Sequence, residues 1–240
     1  MLVLSCKTEP KPKKEVLAPK KDTIEVIVPK PVIKPKPISV LEQRLIDAKL
    51  VNVQHLDSTI LVELKYSTTD NFVGVDLYGD LEHAYLQPDV AEKLLKVQRL
   101  LKSIDSAKTL LIYDAVRPKS VQQVMWDTIK MPFKEKIKFL SNPKNHSIHN
   151  YGAAIDLTIA NLEGKPLDMG APYDYIGVLA HPTKEQQLLK EGKLSQQQIE
   201  NRKLLRKVMQ HGGFFNIQTE WWHFNSCRKP VAKQRYQLVE

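Results

Sequence analysis

The feature that most constrains this chain is a short stretch, residues 147–156, that carries two different metal-binding side chains. It reads Ser-Ile-His-Asn-Tyr-Gly-Ala-Ala-Ile-Asp, so the nitrogen ligand His149 stands seven residues before the oxygen ligand Asp156. Both are ligand types that zinc takes, and the glycine and alanines between them suit a backbone packed close to an ion. A catalytic zinc has three protein ligands, so the fold has to bring a third one to this stretch.

The third ligand can come from a motif near the end of the chain, Glu-Trp-Trp-His-Phe at 220–224. His223 would complete the metal site, and Glu220 would be the general base that takes a proton from the attacking water and later returns it. Residues three apart face opposite sides of a regular strand. Both side chains can therefore reach one ion only if a bulge or the end of the strand breaks the alternation.

In this order, the two motifs resemble those of the zinc D-alanyl-D-alanine dipeptidases, the vancomycin-resistance type and its chromosomal relatives. The wider group shares Ser-x-His-x6-Asp and a later Glu-x-Trp-His, and includes D-Ala-D-Ala carboxypeptidases, L-alanyl-D-glutamate endolysins and the Hedgehog signalling fold. The resemblance implies one Zn2+ per chain, held by His149, Asp156 and His223, with Glu220 as the catalytic acid and base. His146, three residues before His149, is the alternative nitrogen ligand.

The same resemblance implies an α+β fold of the Hedgehog/D-Ala-D-Ala peptidase-like type, with a mainly antiparallel central sheet flanked by helices. Periodicity predicts where the elements lie. Helices are expected at 40–48, from Asp89 to about 103, at 120–130 and within 183–210; strands are expected at 59–66, 109–113 and 152–159, with a hairpin at 214–224.

An arginine at the end of a predicted strand is the next candidate catalytic residue. The strand leads into Asp-Ala-Val-Arg-Pro at 114–118, and the proline restricts the backbone of Arg117. A guanidinium held there can stabilise the oxyanion that forms when water attacks a peptide carbonyl. The dipeptidases have their catalytic Arg in an equivalent Asp-x-x-Arg-Pro, often after an aromatic residue where this chain has Val116. The alternative is a surface salt bridge.

Three residues are candidates for binding a substrate. Tyr66 belongs to Leu-Lys-Tyr-Ser-Thr-Thr-Asp-Asn-Phe-Val-Gly at 64–74, a string very similar to one in the dipeptidases, where the tyrosine lines the pocket. By the same resemblance, Asp174 and Ser147 hold the free amino group of a dipeptide, and a carboxylate pinned there rejects longer chains. The alternatives are a tyrosine that ends a strand, a turn or N-cap aspartate and a turn hydroxyl bonded to backbone.

The first 38 residues differ in composition from the rest of the chain. Val-Leu-Ser-Cys at 3–6 resembles the end of a bacterial lipoprotein signal peptide, in which Cys6 would be lipidated and would anchor the chain to a membrane. Residues 7–38 hold seven of the fifteen prolines and nine lysines, which predicts a disordered linker. We expect a partial signal end at 1–6, this linker at 7–38 and a zinc peptidase domain at 39–240. The location would be the periplasm or cell envelope, with a cytoplasmic protein as the alternative.

The distribution of charge along the chain does not indicate a nucleic-acid partner. More than half of the formal net charge of +9 falls in the linker. We expect this segment to be a solvated basic tail, and the alternative is that it is attracted to an anionic surface. The sequence has no basic patch interleaved with aromatic residues, so nucleic-acid binding is not expected.

These observations and the resemblance together predict zinc-dependent hydrolysis of the D-alanyl-D-alanine dipeptide. The first alternative is a D,D-carboxypeptidase or L,D-endopeptidase that acts on peptidoglycan stem peptides and needs an open groove. The second is a non-catalytic, wall-binding lipoprotein that keeps only the fold.

Overall fold

Two long neighbouring strands form the centre of the fold, because nearly every residue in them is buried. They are Lys108–Asp114 and Ala154–Asn161, and they pair in the antiparallel sense. The computed structural model of the protein describes residues 37–137 and 139–240. Leu110, Ile112 and Leu157 are fully buried and belong to the main hydrophobic core.

The strands form one five-stranded sheet and a separate two-stranded ribbon. Within the described residues they are β1 (Val51–Asn52), β2 (Leu61–Val62), β3 (Tyr85–Leu86), β4 (Lys108–Asp114), β5 (Ala154–Asn161), β6 (Phe215–Asn216) and β7 (His223–Asn225). The larger sheet has the order β2-β4-β5-β7-β6, and β1 pairs with β3. Only the β2–β4 pair of the larger sheet is parallel, so the sheet is mixed and mainly antiparallel.

Helices surround this sheet, and the two longest pack against it and against each other. In the described part of the chain the α-helices are α1 (Val40–Asp47), α2 (Val53–Leu56), α3 (Pro88–Ile104), α4 (Lys119–Thr128), α5 (Phe133–Lys136), α6 (Glu185–Lys190), α7 (Gln196–His211) and α8 (Lys229–Arg235). Short 3-10 helices lie at Lys65–Ser67, Ile148–Tyr151, Val178–Ala180 and Pro182–Lys184. α3 contacts β4 and α7, and α7 also contacts β5 and β6. The protein is therefore α+β, as predicted.

Two predicted boundaries are wrong for identifiable reasons. The strand expected at 59–66 pairs only at Leu61–Val62, because the chain then turns into the 3-10 helix that buries Tyr66. The helix expected to start at Asp89 begins at Pro88, with Gln87 as N-cap. A proline suits this first position, because its fixed φ is already helical and its missing N–H would have no partner there.

The predictions for the N-terminal segment lie outside the described residues, apart from Pro37 and Ile38. The part of the chain from Ile38 to Glu240 is one compact unit. Across residues 37–137 and 139–240, no helix has the length and apolar character required to span a bilayer.

Candidate metal centre and active-site cavity

The register of two central strands brings Asp156 and His223 together. β5 and β7 pair antiparallel with Asp156 directly opposite His223, and side chains of such a pair project to the same face of a sheet. The Oδ1 atom of Asp156 lies 2.9 Å from Nδ1 of His223. Strand pairing alone thus positions two of the three predicted metal ligands.

His149 reaches the same point from the turn that precedes β5. Ser147 caps the 3-10 helix Ile148–Tyr151 and accepts a hydrogen bond from the backbone N–H of His149. Gly152 ends the turn with φ +62, and a Cβ atom there would lie 3.0 Å from a side-chain carbon of Leu50 and 3.3 Å from the backbone nitrogen of Gln87. Only glycine combines this conformation with such a close approach at low cost, so the glycine of the motif sets the path from His149 to Asp156.

The three predicted ligand atoms form a triangle that fits a single ion. The Nε2 atom of His149 lies 3.1 Å from Nδ1 of His223 and 3.4 Å from Oδ1 of Asp156. With metal–ligand bonds of about 2.0–2.2 Å, two corners of a tetrahedron lie roughly 3.3–3.6 Å apart. The observed separations are within a few tenths of an ångström of that spacing. Two imidazoles and a carboxylate are also a donor set that zinc accepts.

Hydrogen bonds to the outer atoms of these ligands fix their orientation. Nδ1 of His149 donates to the carbonyl oxygen of Ala115 at 2.6 Å, and Nε2 of His223 donates to Oδ1 of Asn225 at 3.0 Å. Each imidazole therefore directs its other nitrogen to the centre of the triangle, where that nitrogen can bind an ion once it carries no hydrogen. The Tyr173 hydroxyl donates to the outer oxygen of Asp156 at 3.1 Å. Such contacts orient metal ligands and tune their basicity.

The alternative nitrogen ligand, His146, does not join the cluster. The cluster that could hold a metal ion in the described residues contains His149, Asp156 and His223. Nδ1 of His146 lies 3.0 Å from the hydroxyl of Tyr151, although the side chain still lines the same cavity.

The electrostatics of the cluster reflect its burial. Burial raises the pKa of Asp156, but the imidazoles of His149 and His223 outweigh it and hold that pKa well below its usual range. Burial lowers the pKa of His223, but the hydrogen bond and the charge of Asp156 outweigh this effect and raise it to about 9. The site therefore concentrates negative charge on one carboxylate between two nitrogen donors.

Glu220 lies beside the cluster, at the start of a strand. Its Oε2 atom is 4.0 Å from Nδ1 of His223. β7 begins at His223, so Glu220 precedes the regular strand and the alternation does not send it to the opposite face. Burial raises the pKa of Glu220 to about 7, and the charges of His223 and Arg117 offset only part of this effect. A carboxyl group with this pKa can accept and return a proton near neutral pH.

Arg117 is buried and rigidly held by a partner three residues earlier. Its Nε and Nη2 atoms donate to Oδ2 of Asp114 at 3.0 and 2.6 Å, and Nη1 donates to Gln122 at 3.1 Å. Nη2 also lies 3.7 Å from the outer oxygen of Asp156, and the guanidinium stacks over the ring of Tyr66. The surface salt bridge considered for Arg117 is therefore wrong.

The predicted substrate residues Tyr66, Ser147 and Asp174 line the same cavity as the metal cluster. The Tyr66 hydroxyl donates to Oδ2 of Asp174 at 3.0 Å, and Tyr66 is 1% exposed. Burial and the negative charge of Asp156 raise the pKa of Asp174 well above its ordinary value. Ser147 has the backbone hydrogen bond of the turn alternative, and it also lines the cavity.

All the predicted site residues surround one cavity of about 240 Å³. They are Tyr66, Arg117, Ser147, His149, Asp156, Asp174, Glu220 and His223. This volume is just below the usual range for small-molecule sites, which suits a ligand of one or two small residues.

Comparison with known proteins identifies the family. Residues 46–239 match the family model Peptidase_M15, described as D-ala-D-ala dipeptidase. The chain belongs to the Peptidase_M15 family. This is a family of metallopeptidases, so the protein is a peptidase of that class and the His149–Asp156–His223 cluster is its candidate metal site.

Three relatives of this Peptidase_M15 chain share the name D-alanyl-D-alanine dipeptidase. The protein from Escherichia coli (strain K12) is 32% identical over 180 residues, covering 73% of this chain and 83% of the relative. The one from Enterococcus faecium is 28% identical, covering 68% and 83%. That from Enterococcus faecalis (strain ATCC 700802 / V583) is 27% identical, covering 70% and 86%.

Sequence reasoning missed the residues that hold the Peptidase_M15 site in place. Asp114 is fully buried, binds Arg117 and accepts a hydrogen bond from Tyr78 at 2.6 Å. Asn225 and Tyr173 orient two of the predicted metal ligands, His223 and Asp156. A signal existed for Asp114, because it stands in the same Asp-x-x-Arg-Pro string as Arg117. Asn225 and Tyr173 gave no such signal, because they contact residues that are not part of a shared sequence motif.

Proposed function

We propose that this protein is a zinc-dependent dipeptidase that hydrolyses D-alanyl-D-alanine. The observation that carries the proposal is that a three-ligand cluster and a partly buried carboxylate, Asp174, line one small cavity. The names of the relatives support the same substrate.

His149, Asp156 and His223 would hold the ion, and the separations between their atoms suit zinc. When bound there, zinc supplies a Lewis acid that lowers the pKa of water and polarises the carbonyl of the peptide bond. Glu220 takes the proton of the attacking water and gives it to the departing amine, for which a pKa of about 7 is well matched.

Arg117 stabilises the negative charge that develops on the carbonyl oxygen during attack. Its guanidinium is preorganised by Asp114 and Gln122, so no rearrangement is needed as the charge appears. Burial lowers its pKa, but Asp114 and other neighbours raise it well above the ordinary value, so Arg117 stays charged throughout.

Asp174 selects the free amino group of the substrate. A partly buried carboxylate with a raised pKa is costly to ionise, and a substrate ammonium beside it would offset that cost. Tyr66 orients Asp174 through its hydroxyl, and Ser147 offers a second polar group to the same amine. A longer peptide has a neutral amide at this position and would leave the carboxylate without a cationic partner.

A substrate panel tests the proposal. The zinc-loaded full chain should cleave D-Ala-D-Ala far better than N-acetyl-D-Ala-D-Ala or a stem pentapeptide, with the Glu220→Gln variant as the inactive control. A preference for the pentapeptide would contradict the dipeptidase assignment and favour a D,D-carboxypeptidase.

The wider setting of the reaction is part of the proposal. D-alanyl-D-alanine is a cell-wall building unit, so the activity would belong to peptidoglycan metabolism. We place the protein in the cell envelope, lipid-anchored at Cys6 with residues 7–38 as a spacer, because the sequence Val-Leu-Ser-Cys resembles a lipoprotein signal end. The α+β architecture with its mainly antiparallel sheet is compatible with the Hedgehog/D-Ala-D-Ala peptidase-like fold.

A further inference from the structure

One buried arginine joins both ends of the loop that carries Asp174. We propose that Arg202 is a positioning residue: it fixes the loop 169–179 so that Asp174 meets the amino group of the substrate. This inference rests on the function proposed above, and it adds a residue outside the cavity to the determinants of specificity.

Arg202 projects from α7 and binds the loop backbone at two points. Its Nε atom donates to the carbonyl oxygen of Met169 at 2.7 Å, and Nη2 donates to that of Leu179 at 2.9 Å. These residues stand five positions before and five positions after Asp174. One rigid, planar guanidinium therefore holds the two ends of the loop at a fixed distance from each other.

The burial of Arg202 indicates that these bonds matter. The residue is 1% exposed, and a buried charge is costly unless it is paired and hydrogen-bonded. Its nearest carboxylate, Glu185, is 3.7 Å from Nη1, which has no hydrogen-bond partner within the described residues. The well-formed hydrogen bonds of this guanidinium thus go to the loop, whereas its ion pair is loose.

Other side chains of α7 form hydrogen bonds at the start of the same loop. The side chains of Asn201 and Gln198 donate to the backbone oxygen and the carboxylate of Asp168, each at 2.8 Å. At Gly170, with φ +76, a Cβ atom would lie 2.3 Å from a side-chain carbon of Leu194, just before α7, and 2.9 Å from Oε1 of Gln198 on α7. The loop therefore packs closely on the helix, and its start has little freedom to move.

The middle of the loop reaches the metal cluster. Asp174 has a left-handed backbone, with φ +59, and receives the hydroxyl of Tyr66, while the neighbouring Tyr173 binds Asp156. A non-glycine residue in this conformation persists only where the surroundings hold it. Release of the loop ends would therefore displace Asp174 from the cavity, while the ligands on β5 and β7 would stay in place.

The test compares Arg202→Met with a matched control, Arg206→Met, in the full chain. Arg206 lies one turn further along α7, and its guanidinium donates to both oxygens of Glu185 at 2.7 and 2.6 Å, so it shares the acid but not the loop. Two quantities are measured: amide hydrogen exchange in residues 169–179, and steady-state kinetics on D-Ala-D-Ala and its N-acetyl derivative. Zinc content is determined for each variant.

We expect Arg202→Met to keep its zinc and to show faster exchange in the loop. Its KM for D-Ala-D-Ala should rise about tenfold to a hundredfold, with kcat changed less than about threefold, because a small misplacement of a binding group is enough for such losses. Discrimination against the N-acetyl dipeptide should fall. Arg206→Met should show none of these changes. If Arg202→Met does not fold, Arg202→Lys replaces it, because a lysine keeps the charge but cannot reach both carbonyls.

Equal exchange and equal KM in the two variants would overturn the proposal. So would a loosened loop with unchanged KM and unchanged discrimination, since Arg202 would then be purely structural. A wild-type protein that does not cleave D-Ala-D-Ala would instead refute the proposed function, and the exchange data would still decide whether Arg202 fixes the loop.

Discussion

The two ends of the cavity are built by different means. At the metal end, Asp156 and His223 stand opposite each other on paired strands, and His149 is on the turn that enters one of them. At the amine end, Asp174 lies on a loop whose position depends on side chains from distant segments. In the proposed function, strand pairing thus positions the groups that carry out the chemistry, whereas side-chain contacts position the group that selects the substrate. Substitutions at the two ends should therefore change different kinetic quantities.

The largest effect is expected at the metal end, from His223→Ala compared with Glu220→Gln. His223→Ala should lose both zinc and activity, because two ligands are too few for a stable site. Glu220→Gln should keep about one zinc per chain and lose a factor of about 10²–10⁴ in kcat, the usual contribution of a general base. Measurements of zinc content and of the rate of dipeptide hydrolysis on each variant check both expectations. A Glu220→Gln variant that lost its zinc would show that Glu220 is a ligand.

Arg117→Lys should give the next largest loss. A lysine keeps a positive charge beside Asp114 but cannot make the forked contact, so kcat should fall about 10²–10³-fold. KM and zinc content should change little, since Arg117 acts on charge that develops during attack. Replacement by Ala is a poorer test, because it would leave Asp114 buried without its cation. An unchanged kcat in Arg117→Lys would remove Arg117 from the mechanism.

Asp174→Asn tests the amine end directly. Loss of one charged hydrogen bond, about 1.5–3 kcal/mol, should raise KM for the free dipeptide about tenfold to a hundredfold. Cleavage of the N-acetyl dipeptide should be unaffected or improved. If the variant instead lost kcat alone, Asp174 would belong with the metal end, and the contrast between the two ends would fail.

The last prediction needs no substitution and concerns the pH dependence of zinc binding. In the metal-free protein the pKa of His223 is raised to about 9, so at pH 7 the imidazole carries a proton that zinc must displace. Zinc affinity should rise about tenfold per pH unit up to about pH 9 and then level off. Because folding raises the pKa of His223, its protonation stabilises the metal-free fold. This stabilisation is complete below the pKa of histidine in the unfolded chain and is lost as the pH rises through 9. Calorimetry in buffers of different ionisation enthalpy measures the released proton.

The metal end could be predicted from the sequence because its chemistry is local. His149 and Asp156 share one short motif, and Glu220 and His223 share another, so only their meeting had to be inferred. Helix α3 was equally predictable, since its buried residues recur at helical spacing. Its first residue was missed, although a proline such as Pro88 is typical of the first helical position, because the prediction placed the start at Asp89.

The supports of the site could not be predicted, because they join segments far apart in the chain. Arg202 reads as one more cation on a polar helix, and nothing near it in sequence indicates that its bonds go to Met169 and Leu179. β2 was predicted too long for a related reason. The alternation of residues 59–66 is compatible with a strand, but the chain leaves the sheet after Val62 to place Tyr66 in the cavity.

The most direct test of the account is a crystal structure of the zinc-loaded protein with anomalous diffraction at the zinc edge. We expect a single strong peak bonded to Nε2 of His149, Oδ1 of Asp156 and Nδ1 of His223 at about 2.0–2.2 Å. A peak that lacks any of these three atoms, or that lies outside the cavity containing Glu220 and Arg117, would contradict the central claim.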